Sequence, residues 1–180
     1  MKKITTELNS WIIQDGNYGD FHCGDHHSLA LEFAGGRLRQ SDDREVRCQH
    51  DQGSIYTVTA EVIFVNPEVW VIDFGIKAYW ESPPPAFVQT GAWVEGEIFL
   101  GIDPFFYKDY LSKVPDMPNL FDEWIVKRIQ LNTTPWIHSL DGDRSVLTRD
   151  GSLEARRDIT ATNAWNDDNG RASYLLHLEK

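Results

Sequence analysis

A chain of 180 residues with 28 Asp+Glu against 17 Lys+Arg carries a formal charge of −11 at neutral pH. Nucleic-acid backbones are dense lines of negative charge and normally meet a basic face, so this balance argues against a nucleic-acid partner and favours a basic protein one. With 41% hydrophobic residues but no run of about 18 apolar ones, the chain can build one packed core and offers no membrane-spanning helix.

The first ten residues are polar, and no apolar stretch of signal-peptide length follows Lys2 and Lys3. Two cysteines, Cys23 and Cys48, are too few for a disulfide framework, so the expected setting is the cytoplasm. Asn132-Thr133-Thr134 matches a glycosylation acceptor, a match without consequence there. Trp11-Ile12-Ile13 is the first apolar cluster, and Asp15-Gly16-Asn17 marks a turn. From His26 to Phe33 the pattern alternates, with Leu29, Leu31 and Phe33 sharing a face, as in a half-buried strand. Residues 35–53 form a polar segment that is either mobile or holds a short hairpin.

Ile55–Val65 and Val69–Trp80 are two alternating runs about the turn Asn66-Pro67-Glu68, which predicts a hairpin of two long strands. Ser82-Pro83-Pro84-Pro85 is an extended connector. Trp93–Ile102 then turns Val94, Ile98, Leu100 and Ile102 to one face and Trp93, Glu95, Glu97 and Phe99 to the other. Asp103-Pro104 reads as a helix cap followed by proline at the first helical position; a short helix to Lys113 and a continuing strand are the two options there. Asn119–Leu131 predicts another strand, with Trp124, Val126 and Arg128 opposite Ile125, Lys127 and Ile129. Short strands are expected near Trp136–Leu140 and Val146–Thr148, and Asp141-Gly142 and Asp150-Gly151 are turn signals. Asn169-Gly170 predicts a tight hairpin joining Ile159–Trp165 to Arg171–Leu178.

This pattern predicts a single domain over residues 1–180 of mainly β class. Its antiparallel sheet would be curled into a barrel or half-barrel, with a two-sheet sandwich as the alternative, and would carry one or two short helices. Gly75, Gly96 and Gly101 inside strand patterns suit the bends at which a sheet curls.

No nucleophile elbow, phosphate loop or zinc-protease motif occurs. Cys23, His26, Cys48 and His50 offer two thiolates and two imidazoles, a donor set that suits tetrahedral zinc; otherwise no cofactor is called for. Glu95 and Glu97, two apart on one strand, project from the same face roughly 7 Å apart. With Asp73 on the neighbouring hairpin they form the paired carboxylates that sugar hydrolysis would use. Asp141-Gly142-Asp143 begins like a calcium loop but lacks the glycine and glutamate that such a loop needs. The leading expectation is a non-catalytic binding protein. Its ligand is a protein partner, preferably basic, or a small molecule held in an aromatic-lined cleft by Trp93, Phe99, Glu95 and Glu97. A zinc protein and a paired-carboxylate hydrolase are the alternatives.

Overall fold

The computed structural model describes residues 2–35, 37–139 and 146–180. Its centre is β9 (Trp93–Ile102), where Val94, Ile98, Leu100 and Ile102 point inward and are buried. β6 (Ile55–Val65) pairs along one edge of β9, and β3 (Leu31–Gly35) along the other, both antiparallel. Beyond β6 come β7 (Trp70–Asp73) and β8 (Lys77–Trp80), and β8 meets β3 in parallel. The path β9–β6–β7–β8–β3 therefore returns to its start as a closed five-stranded barrel, which is the expected fold class.

A second circuit of pairings shares two of these strands. β2 (His26–Leu29) is separated from β3 only by Ala30, and it pairs with β10 (Asp122–Asn132). β10 pairs with β14 (Ser173–Glu179), and β14 with β1 (Lys3–Asn9). β1 then touches β9 in parallel at Glu7 and Gly101. Tyr56 ties the two circuits together, since its hydroxyl accepts from the Thr5 N–H and donates to the Thr5 carbonyl. One continuous apolar cluster fills both, running from Trp70, Phe33 and Tyr56 on one side to Trp124, Leu8 and Tyr174 on the other. Removing that much apolar surface from water is the main stabilising term of the fold.

The remaining elements decorate this frame. β4 (Arg39–Gln40) adds to β9, and β5 (Arg47–Gln52) adds to β6 through a tight turn, so the two strands of this polar segment pair with strands outside it and not with each other. β11 (Trp136–His138) and β12 (Leu147–Arg149) make a separate two-stranded sheet, and β13 (Arg156–Ile159) borders β10. The Asp141-Gly142 turn signal and the calcium-loop-like start lie outside the described residues. Among the described residues helix is confined to α1 (Ser10–Gln14), α2 (Phe106–Asp109) and two 3-10 turns. Among the described residues no helix is long and apolar enough to cross a membrane.

Several local expectations are corrected. Val69–Trp80 is not one strand: Asp73 accepts from the Gly75 N–H at 2.8 Å, Gly75 takes φ +90°, and the chain doubles back as β7 and β8. The predicted C-terminal hairpin is absent, because β13 and β14 lie on opposite sides of β10. Asp168 and Asn169 adopt left-handed conformations in a 3-10 turn instead. In β10 a register shift between Val126 and Arg128 reverses the alternation, so Ile129 and Leu131 are buried and Arg128 faces outward. The polar opening residues form β1, a strand that their composition hid.

Candidate functional site

The outward face of β9 carries the residues expected to bind or react. At Gly96 the chain takes φ +144°, and a Cβ there would stand 2.6 Å from the Arg37 carbonyl oxygen, so the 37–41 segment crosses β9 where only glycine fits. This crossing brings Arg39 to 2.6 Å from Glu95 and lets the Ser41 hydroxyl donate to Glu95 at 2.7 Å. The Ser41 hydroxyl first, and then Arg39, hold the Glu95 carboxyl below the usual range. Glu95, Arg39, Arg47, Gln49, Thr57 and Thr59 border a depression of about 350 Å³. Trp93 borders a second one of about 280 Å³ with Gln40, Ser41 and Arg44, and Phe99 a third of about 190 Å³ near Arg156. The four residues expected in one cleft are thus spread along the strand, and Glu97 is exposed opposite Thr57. Asp73 is not beside Glu95 either. It is level with Trp93, with β6 between them, since Glu61 pairs with both.

The structure does not bring the Cys/His set together. Cys23 lies on the turn into β2, where its N–H donates to the Thr160 carbonyl and its thiol to the Ile159 carbonyl. His26 is exposed on β2; the histidines that turn toward Asp25 are His22 and His27. Cys48 and His50 sit on β5, where His50 stacks near Tyr56 with centroids 4.9 Å apart. Among the described residues no group of three or more His, Cys, Asp or Glu is placed to hold a metal. The four fall close along the chain, but the strand pairing sends them to different parts of the sheet.

A cluster not anticipated from the residue pattern lies where β9 ends. Asp103 is 0% exposed, yet its carboxylate is well supplied with donors. It accepts from the Tyr79 hydroxyl at 2.6 Å and from the backbone N–H groups of Tyr107 and Lys108 at 3.0 and 3.2 Å. It thereby serves the start of α2, as its place before Pro104 suggested, although Phe105 with φ +86° intervenes. Burial raises the Asp103 carboxyl, and these donors pull it part of the way back. Glu32 leans across Gly101 beside it, and burial, then Asp103 and Glu81, push its carboxyl up to about 7. Burial and then Asp103 also raise the Tyr79 and Tyr18 hydroxyls. The chain between Asp103 and Leu120 covers Val71 and Tyr79 with Tyr107 and Leu111, forming a small second core. Because Tyr107 and Leu111 face inward, Phe106 and Tyr110 are left outward at 39% and 45% exposure.

Two exposed tryptophans, Trp11 at 46% and Trp165 at 67%, lie on chain segments that are hydrogen-bonded to each other. The junction between them is fixed: the Gln14 amide donates to the carbonyls of Ala164 and Gly170 at 2.8 and 2.9 Å, and the Ser10 hydroxyl to Gly170 at 2.9 Å. Comparison of the chain with protein-family models, with characterised proteins and with solved structures gave no match.

Proposed function

We propose that this protein is a non-catalytic binding protein that engages a protein partner through aromatic side chains held rigidly on the outside of the barrel. The carrying observation is the Trp11/Trp165 corner. Neither tryptophan belongs to an apolar core cluster, whereas in an interface tryptophan is among the side chains most often responsible for affinity. The hydrogen bonds from Ser10 and Gln14 fix the two backbones beforehand, which lowers the entropy lost on association. A formal charge of −11 steers a basic partner toward the surface and repels nucleic acid. Cys23 and Cys48 are both free and exposed, which suits a reducing compartment such as the cytoplasm.

Paired-carboxylate hydrolysis has less behind it. Glu95 is kept ionised by Ser41 and Arg39, so it has no proton to donate near neutral pH, and Glu97 stands in solvent. The test of the binding reading is quantitative capture of partner from cell extract by wild type, Trp11→Ala and Trp165→Ala. The expected result is a specific partner whose retention falls roughly 30-fold in either variant, the scale of an interface hot spot. Equal retention by all three proteins would overturn the reading.

A further inference from the structure

We propose that the outward aromatic face of α2, formed by Phe106 and Tyr110, is a docking surface for a Lys- or Arg-bearing segment of polypeptide. This rests on the protein-binding reading above and names a second contact, away from the tryptophan corner.

The face is apolar in its middle and negative around its edge. The rings of Phe106 and Tyr110 lie one helical turn apart, with centroids separated by 5.8 Å. The Tyr110 hydroxyl donates to Glu81, reaching its two oxygens at 3.2 and 3.4 Å. Glu81 and Asp109 are exposed, Glu32 is half-buried next to them, and Asp103 is buried behind. The two nearby lysines are already engaged, one by a neighbouring ring and one by the Asp109 main chain. The Lys108 ammonium sits 5.1 Å from the centre of the Phe105 ring, and Lys113 donates to the Asp109 carbonyl.

Two consequences support a cationic occupant. The Tyr110 hydroxyl is tied to the negative edge of the face: burial and then Glu81, both by its charge and by accepting the hydroxyl's hydrogen bond, push it up to about 12, with Asp103 and Asp109 adding to it. The rise of the Glu32 carboxyl to about 7 likewise has no cation working against it. A positive group placed here would meet the exposed Glu81 and Asp109 carboxylates at the edge of the two rings. Its form follows from the geometry. A guanidinium or ammonium can lie on the two aromatic faces while its N–H groups reach the Glu81 and Asp109 carboxylates.

The probe is an acetylated and amidated octapeptide alternating arginine and glycine, titrated into the isotopically labelled protein and followed by amide chemical shifts. Its control is the same peptide with citrulline, which keeps the shape and loses the charge. The expected result is saturable shifts at Glu81, Phe106, Asp109 and Tyr110 with the arginine peptide alone. Affinity should fall about tenfold in Glu81→Gln and again in Phe106→Ser, and it should weaken with added salt. Both substitutions are at exposed positions, and an unchanged spectrum elsewhere would show that they fold. Equal binding of the citrulline peptide, equal affinity of the variants, or shifts confined to other surfaces would each overturn the proposal. Trp11→Ala is expected to leave this titration unchanged. Loss of peptide binding with partner capture intact removes only this inference, and loss of capture with peptide binding intact removes only the tryptophan corner.

Discussion

Gly101 leaves the space beside β9 into which Glu32 leans; a Cβ there would come within 3.0 Å of the Glu32 carboxylate. The half-buried acid has an unfolded value near 4.5 and a folded value of about 7. Between those two pH values the native state keeps a proton that the unfolded chain has released, so stability falls as pH rises through this window. Below it both states are protonated, and above it the full cost of a buried charge remains. Glu32→Gln is therefore expected to be more stable than wild type by roughly 1–3 kcal/mol near pH 8 and indistinguishable from it near pH 4. Urea unfolding at the two pH values checks this; a variant less stable near pH 8 would contradict the desolvation account. Asp103 was legible as a helix cap from its place before proline. Its surroundings were not, because Glu32 and Tyr79 come from β3 and β8, strands that only the barrel's closure brings together.

At the scale of elements, alternation identified faces well wherever a strand has one wet side. It placed Val94, Ile98, Leu100 and Ile102 inward on β9, and Tyr56, Val58, Ala60 and Val62 inward on β6. It failed where the backbone departs from simple pleating. The shift in β10 moves the later residues to the other face, and the turn at Gly75 splits a run whose period of two continues through it. The Asn169-Gly170 signal misled because a favourable turn sequence says nothing about which strands will pair. The β11–β12 hairpin illustrates a different dependence, since its anchor is made of side chains. The Trp136 indole donates to Asp168 at 2.8 Å, the Arg149 guanidinium lies 3.9 Å over the same ring, and Arg149 pairs with Asp168 at 2.6 Å. Trp136→Ala should release this hairpin alone. Hydrogen exchange at 136–138 and 147–149 is then expected to rise by about tenfold or more while β6 and β9 keep their protection. Unchanged exchange in the hairpin would show that the aromatic anchor is not what holds it.

At the scale of the molecule, β3 and β9 belong to both circuits of strands, and a single apolar cluster runs through the two. The interior of the five-stranded barrel is occupied by Phe33, Tyr56, Trp70, Ile72 and Ile98, so the proposed recognition falls to what the outer surface carries. The account therefore depends on closure between β6 and β9, the pairing that separates a filled barrel from an open sheet. Site-resolved amide hydrogen exchange of the intact protein tests it most directly. If the barrel is closed there, the amides joining β6 to β9 open only with the whole molecule, within about 1 kcal/mol of the global unfolding free energy. Exchange along that seam at a free energy several kcal/mol lower, with the other ladders still protected, would contradict it.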